Sequence, residues 1–111
     1  MPPSPGNAAQ IERRRERRFP FDAAVEIEFG SSTILGRVRD ISLSGMFLTS
    51  PEPLWLGAGF AAKLLLDSPI HLTCTVRRVE PGRGIGVQIT PLEQEHHARL
   101  SELIAHLESK R

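Results

Sequence analysis

The sequence predicts a mainly β fold, a six-stranded antiparallel β-barrel followed by a C-terminal amphipathic α-helix. Short segments alternate apolar and polar residues with the period of two that a half-buried strand requires. Turn residues separate these segments at close spacing, and one later stretch has apolar residues at helical spacing. A barrel is favoured because closure removes the exposed edges of a small sheet. The nearest alternative fold is a β-sandwich. With 111 residues, 40% of them hydrophobic, the chain fits one domain with a modest core.

Residues 1–12 are predicted to be a flexible tail, because three prolines and a glycine fall among small residues in the first seven positions. Residues 13–109 are predicted to form the single folded domain. The run of charged residues 13–18 has no apolar stripe, so we expect any order there to come from a ligand or a partner. Phe19 and Phe21 mark the point where the chain enters the core.

Three strands are predicted in the first half of the domain. In the first strand, Val25, Ile27 and Phe29 alternate with glutamates, and a Gly-Ser-Ser turn follows. The second strand covers residues 33–41, with Ile34 or Val38 turned inward, and the third covers residues 46–49.

The second half predicts a loop and three more strands. Residues 51–59 hold two prolines and two glycines, which is typical of a loop, with Trp55 as its large apolar residue. Residues 61–67 and 70–79 are predicted to form a hairpin, and the last strand covers residues 85–89. The inward positions of these last two strands are Ile70, Leu72, Cys74, Val76, Ile85, Val87 and Ile89.

A helix start is predicted directly after the last strand. Thr90 suits the N-cap, Pro91 suits the first helical position, and Glu93 stands three residues after Thr90 to complete a capping box. The apolar residues Leu100, Leu103, Ile104 and Leu107 then fall on one helical face.

Five of the fourteen basic residues lie between positions 13 and 18, in the sequence RRRERR, and all five are arginine. A guanidinium group binds a phosphate or the O6/N7 edge of guanine through two hydrogen bonds, and it also stacks on a purine, whereas lysine provides only a point charge. Because the formal net charge of the whole chain is only +1, the composition does not indicate a general nucleic-acid binder. By itself the run is also compatible with a solvated charged segment.

The second polar motif is DISLSG, at residues 40–45. On a strand, Asp40 and Ser42 point to the same face, and Gly45 permits a sharp turn with close backbone approach. A carboxylate and a hydroxyl in these positions are able to bind the N–H donors of a base, although an ordinary hairpin turn would use the same residues.

Together the two motifs resemble the PilZ domain family, whose members bind the bacterial second messenger cyclic di-GMP. The family pairs an RxxxR motif before the first strand with a D/NxSxxG motif about two dozen residues later. Arg14 and Arg18 match the first motif, and Asp40, Ser42 and Gly45 match the second. The resemblance extends over residues 13–107 and includes RFPF after the arginines, GMFL after the second motif, Leu56-Gly57, VRRV at 76–79 and GIGVQI at 84–89.

The resemblance implies a role for each matching residue. Arg14 and Arg18 would clamp phosphate and guanine, Asp40 and Ser42 would hydrogen-bond the guanine, and Gly45 would let the loop approach the ligand. Arg13 is the kind of residue that in this family favours an intercalated dimer of the ligand over a single molecule. Arg13 and Arg17 also fit RxxxR, but Arg18 directly precedes the entry to the first strand, which favours the pair Arg14 and Arg18.

The implied function is a cytoplasmic, non-enzymatic cyclic di-GMP receptor or adaptor, without a cofactor or membrane insertion. Its Arg-rich segment would change conformation on binding and signal to an unidentified effector protein. The alternatives are an adaptor of the same fold that binds no nucleotide and, less favoured, a nucleic-acid-binding module.

No catalytic or metal-binding constellation emerges from the remaining residues. His96 and His97 are adjacent on the predicted helix and diverge by about 100°, so we expect both to be solvated. Cys74 occupies an apolar strand position and is expected to be a core residue. A single cysteine and an N-terminus without the apolar run of a signal peptide favour a reducing, cytoplasmic setting. Trp55 is expected either to hold its loop against the barrel or to cover a bound base.

Overall fold

The computed structural model describes residues 16–110 as a closed β-barrel with a C-terminal helix packed against it. The strands are β1 (Phe19–Phe29), β2 (Ser32–Ile41), β3 (Gly45–Thr49), β4 (Gly59–Leu64), β5 (Ile70–Glu80) and β6 (Gly84–Pro91), and the helix is α1 (Gln94–Ser109). The six strands run in the order β1-β2-β3-β6-β5-β4, and every neighbouring pair is antiparallel. The predicted fold class is therefore confirmed.

The alternation of the strands produces the core. Val25 and Ile27 of β1 and Val38 of β2 are fully buried. The residues predicted to point inward from β5 and β6 are each at most 6% exposed. Met46, Leu48 and Leu64 add the side chains of β3 and β4 to the same interior. Burial of these side chains on one face of each strand fixes the register, because a shift of one residue would turn all of them to solvent.

The helix α1 packs against β1, β5 and β6 through one apolar face. Leu100 is 1% and Ile104 is 8% exposed, and Leu103 and Leu107 pack against the core from the edge of this face. The predicted helical face is thus confirmed. Across residues 16–110, no helix has both the length and the apolar content that a membrane crossing requires.

The predicted helix start is wrong. Thr90 and Pro91 belong to β6, where they pair with Thr73 and Leu72 of β5. The helix begins at Gln94, and Glu93 is its N-cap residue. Pairing with β5 extends β6 across the predicted cap, so tertiary structure overrides the local capping pattern.

Most strand ends differ from the prediction by one or two residues, and two of them differ by more. β1 begins at Phe19, six residues before the alternation becomes regular, because Phe19 and Pro20 pair with the end of β2. β4 ends at Leu64 rather than at residue 67, since Leu64 pairs with Ile70 and the chain turns directly after it.

Candidate functional site

The loop between β2 and β3 is a tight turn held by Ser42. Ser42 donates its backbone N–H to the carbonyl oxygen of Gly45 at 2.8 Å, and its hydroxyl oxygen accepts the Gly45 N–H at 3.1 Å. The same hydroxyl donates to the Gly45 carbonyl at 3.2 Å. Ser42 is only 1% exposed, so its polar groups are satisfied inside the turn. Because β2 ends at Ile41, Ser42 belongs to the turn rather than to the strand.

Gly45 lies where β3, β6 and the segment before β1 approach one another. A Cβ atom at this position would lie 3.1 Å from the Val87 carbonyl oxygen and 3.4 Å from Nη1 of Arg18. Gly45 pairs with Gln88 of β6, and the Ser44 carbonyl accepts the Ile89 N–H at 2.8 Å. The absence of a side chain at Gly45 therefore allows the turn to sit directly beside β6 and Arg18.

Arg18 and Asp40 join the two sequence motifs. Nη2 and Nε of Arg18 lie 2.7 Å and 2.9 Å from the same carboxylate oxygen, Oδ1 of Asp40. Pro20 pairs with Asp40 in the β1/β2 register, which brings the residue before β1 to the end of β2. The Arg18 side chain remains 47% exposed, so the guanidinium group is accessible while it is held in place.

Arg17 points to a different part of the molecule. Its Nη1 lies 4.0 Å from the carboxylate of Glu108 in α1, and its guanidinium group lies 5.6 Å from the centroid of the Phe19 ring. Neighbouring arginines of the run therefore have different partners. Arg18 contacts Asp40 beside the loop of residues 42–44, called the motif loop below, whereas Arg17 contacts Glu108 of α1.

Glu16 accepts two hydrogen bonds from Ser44 of the motif loop. Its Oε1 accepts the backbone N–H of Ser44 at 2.8 Å and the Ser44 hydroxyl at 2.7 Å. Burial acts to raise the pKa of the Glu16 carboxyl. The hydroxyls of Ser42 and Ser44, the Ser44 N–H and the nearby Arg18 stabilise its charged form more strongly, so this pKa lies below its usual value of 4.5.

Strands β5 and β6 provide the opposite wall of a pocket beside this loop. Arg77 donates from Nε to the side-chain oxygen of Gln88 at 3.0 Å. Arg78 lies over the Phe47 ring, 5.8 Å from its centroid, and its Nε contacts the Glu80 carboxylate at 2.8 Å. The pocket has a volume of about 400 Å³ and is lined by Glu16, Arg18, Ser42, Ser44, Gly45, Arg77, Arg78, Gly86, Val87 and Gln88.

The structure brings together four of the six residues predicted from the sequence. Arg18, Ser42 and Gly45 line the pocket, and Asp40 holds the Arg18 guanidinium group. Arg13 and Arg14 lie outside the described residues. The sequence prediction missed Glu16, Ser44, Arg77, Arg78 and Gln88. The two arginines of β5 were visible as part of VRRV, but nothing local placed them beside the motif loop.

The other residues singled out from the sequence do not line the pocket: they are His96, His97, Cys74 and Trp55. His96 was predicted to be solvated, but it is 8% exposed and its Nδ1 accepts the His71 backbone N–H at 3.2 Å. His97 is exposed, as predicted. Cys74 is buried in the core, also as predicted, and this burial raises the pKa of its thiol to about 12. Trp55 makes an edge contact with Phe29 at a centroid distance of 4.9 Å, and it is not among the lining residues of the pocket.

Within the described part of the chain, no group of three or more His, Cys, Asp or Glu residues is arranged to hold a metal ion. Among the described lining residues of the pocket, the titratable groups are the guanidinium groups of Arg18, Arg77 and Arg78 and the carboxylate of Glu16. Such a set of side chains suits an anionic ligand with hydrogen-bonding edges.

Comparison with known proteins gives one family. The PilZ domain model matches residues 12–106. No curated protein matches the chain.

Solved structures with the same fold include the following three. The PilZ domain of CeSA from a cellulose-synthesizing bacterium is 25% identical, with a TM-score of 0.64 over 83% of this chain and 98% of that one. The PilZ domain of YcgR from Escherichia coli, solved with c-di-GMP, is 20% identical, with a TM-score of 0.68 over 88% and 93%. The inhibitor of motility MotI (DgrA) from Bacillus subtilis is 20% identical, with a TM-score of 0.70 over 89% of this chain, which spans about half (53%) of that protein.

Proposed function

The chain belongs to the PilZ domain family, and from this membership we propose that it is a cytoplasmic, non-enzymatic receptor for cyclic di-GMP. The observation that carries the proposal is the contact between Arg18 and Asp40, because it joins the RxxxR and DxSxxG motifs at the edge of one pocket. The structure of the YcgR PilZ domain with c-di-GMP supports the choice of ligand.

Each site residue has a role that suits its position. Arg18 would bind phosphate or the acceptor edge of guanine, while Asp40 would accept the N–H donors of the guanine and keep Arg18 oriented. Ser42 lines the pocket, and its hydroxyl holds the turn that presents the loop. Gly45 would let the ligand approach the backbone of that loop.

Arg14 is the proposed partner of Arg18 in the RxxxR motif. The contacts of Arg17 with Glu108 and Phe19, on the side of α1, favour Arg14 and Arg18 over Arg13 and Arg17 as the working pair. Arg13 would favour capture of an intercalated ligand dimer instead of one molecule. The bound ligand would rearrange the Arg-rich segment, and the altered surface would be recognised by an effector protein.

Calorimetric titration with cyclic di-GMP tests the proposal. We expect micromolar or tighter binding, and we expect Arg14→Ala and Arg18→Ala each to weaken it by about tenfold or more, since each removes charge-assisted hydrogen bonds. Arg39→Ala is the matched control, because Arg39 is an exposed arginine next to Asp40 on β2 and does not line the pocket. The absence of binding heat, or equal affinities for Arg18→Ala and Arg39→Ala, would contradict the proposal.

The same titration gives the stoichiometry. Two ligand molecules per chain are expected if Arg13 supports an intercalated dimer, and Arg13→Ala should then reduce the ratio to one. A ratio of one that Arg13→Ala leaves unchanged would remove the proposed role of Arg13. Competition with a single-stranded oligonucleotide distinguishes the nucleic-acid alternative, because displacement of cyclic di-GMP by the oligonucleotide would favour it.

A further inference from the structure

We propose that the backbone N–H and hydroxyl of Ser44 form an anion subsite of the pocket, and that the Glu16 carboxylate competes with a phosphate of the ligand for this subsite. The inference rests on the proposed function and extends it, since it assigns an internal competitor to the same pocket. Glu16 would thereby set the affinity of the chain for the dinucleotide.

The hydrogen-bond geometry identifies the subsite. Both donors of Ser44 meet at one oxygen of Glu16, at 2.8 Å from the nitrogen and 2.7 Å from the hydroxyl oxygen. A non-bridging phosphate oxygen is an acceptor of the same kind, and hydrogen bonds to such a charged oxygen are short and strong. Backbone N–H groups in turns form anion-binding sites in proteins, and at Ser44 a hydroxyl donor lies beside one such group. Glu16 therefore satisfies donors that suit a phosphate.

The charge balance of the pocket explains why this carboxylate has to leave. Arg18 is paired with Asp40, and Arg78 is paired with Glu80, whereas Arg77 is held by the neutral side chain of Gln88. Glu80 is shared between Arg78 and Arg83. Among the described residues that line the pocket, Glu16 is the one carboxylate. A phosphate that enters at Ser44 would meet the negative charge of Glu16, and displacement of this carboxylate would leave the lining arginines to attract the ligand.

Glu16 is the carboxylate that is able to move. Asp40 lies within β2 and Glu80 within β5, so the hydrogen-bonded barrel fixes the backbone of both. Glu16 precedes β1, which begins at Phe19, and in the described structure its side chain reaches the barrel through Ser44. Rotation of the Glu16 side chain would release Ser44, while the barrel and the contact between Arg18 and Asp40 stay unchanged.

Calorimetric titration of Glu16 variants with cyclic di-GMP tests the inference. We expect affinity to increase in the order wild type, Glu16→Gln, Glu16→Ala, with Glu16→Ala binding about tenfold more tightly, because the variants remove first the charge and then the competing acceptor. Glu102→Ala is the matched control. It removes the same charge from an exposed position of α1, so it reports the effect of net charge alone.

A double-mutant cycle with Ser44→Ala tests the shared donors. In the wild-type background, Ser44→Ala removes a donor from both the competitor and the ligand, so its effect on affinity should be small. In the Glu16→Ala background only the ligand uses the donor, so Ser44→Ala should weaken binding about fivefold to tenfold. Equal effects of Ser44→Ala in the two backgrounds would overturn the competition.

The possible outcomes separate the two proposals. If the wild type produces no binding heat, the proposed function fails, and the inference fails with it. If the wild type binds and Glu16→Ala binds equally or more weakly, only the inference fails. Equal binding would mean that Glu16 does not compete with the ligand, and weaker binding would mean that it orders the loop for the ligand. A carbon-13 titration of the Glu16 carboxyl gives an independent readout: its pKa should move upward, toward its usual 4.5, when the dinucleotide is added.

Discussion

Gly45 controls how closely the motif loop approaches Arg18 and β6. In Gly45→Ala the new Cβ would lie 3.1 Å from the Val87 carbonyl oxygen, so the loop would have to move away from β6 by a few tenths of an ångström, and the added methyl would contact Arg18 Nη1 at 3.4 Å. We expect cyclic di-GMP affinity to fall by about tenfold, the equivalent of one charge-assisted hydrogen bond. The unfolding free energy should fall by about 1–2 kcal/mol.

The control for this prediction is Gly59→Ala at the start of β4. The only close contact of a Cβ there is with the Cys74 carbonyl oxygen at 3.8 Å, which is an ordinary distance. Calorimetric titration and urea unfolding of both variants make the comparison. If Gly45→Ala retained wild-type affinity, close approach at Gly45 would not be needed for binding.

Cys74 makes the stability of the barrel sensitive to alkaline pH. Burial raises the pKa of its thiol from 9.0 to about 12, so between these values the folded chain keeps a proton that the unfolded chain loses. The contribution of Cys74 is therefore complete below pH 9.0 and is lost as the pH rises toward 12. The unfolding free energy of the wild type should fall more steeply than that of Cys74→Ala, by up to about 1.4 kcal/mol per pH unit.

Urea unfolding from about pH 8 to pH 11 measures this difference. Cys74→Ala also leaves a cavity, and the cost of that cavity is the constant difference between the two proteins at the lower pH values. Parallel pH profiles for wild type and Cys74→Ala would contradict the prediction.

At the scale of single residues, the surroundings of a residue could be predicted from the sequence where its neighbours are local or belong to a known motif. The contact between Arg18 and Asp40 follows from the pairing of β1 with β2, and β-hairpin neighbours can be anticipated from the order of the strands. The buried state of His96 depends on the backbone of His71 in β5, which is 25 residues away. Helical position alone contains no information about such a partner.

At the scale of elements, the start of α1 is a weak point of the fold. Its N-cap residue Glu93 has an extended backbone, with φ −139° and ψ 167°, and its side chain makes no capping hydrogen bond. Aspartate keeps the negative charge near the positive end of the helix dipole and has the shorter side chain that reaches the free N–H groups. We expect Glu93→Asp to raise the unfolding free energy by about 0.5–1 kcal/mol.

The matched control is Glu102→Asp, at an exposed position inside α1. It makes the same chemical change where no N–H groups are free, so it should lower stability by a few tenths of a kcal/mol, about the difference in helix propensity. Thermal and urea unfolding of the two variants provide the measurement. If both changed stability in the same direction, the missing cap would not limit the helix.

The same end of the helix shows where element prediction fails. Thr90, Pro91 and Glu93 match a capping box in type and spacing, yet Thr90 and Pro91 continue β6 because β5 offers them backbone partners. The periodicity of Leu100 and Ile104 was sufficient to predict the buried face, because that face is internal to the helix. Element type and face were therefore predictable, whereas the boundary depended on a neighbouring strand.

At the scale of the whole molecule, barrel closure assembles the pocket. The motif loop joins β2 and β3, and β3 pairs with β6, which in turn pairs with β5. Arg77, Arg78 and Gln88 reach the pocket only through these pairings, more than 30 residues along the chain from Asp40. Alternation predicts that a strand has a buried face, but it does not say which distant strand lies beside it. For this reason the sequence predicted one wall of the pocket and missed the other.

Closure of so small a barrel also requires neighbouring strands to pass very close to one another at Gly36. A Cβ atom at this position of β2 would lie 2.5 Å from the Thr49 carbonyl oxygen of β3 and 3.2 Å from Cδ1 of Ile27 in β1. The first contact is with backbone, so Gly36→Ala would force β2 away from β3. We expect it to lower the unfolding free energy by about 2–3 kcal/mol.

Gly59→Ala is the control for this prediction. Its Cβ would have only the contact at 3.8 Å, so it should change stability by less than about 1 kcal/mol. Urea unfolding of the two variants decides the point, because equal stabilities would mean that the barrel opens between β2 and β3 at little cost.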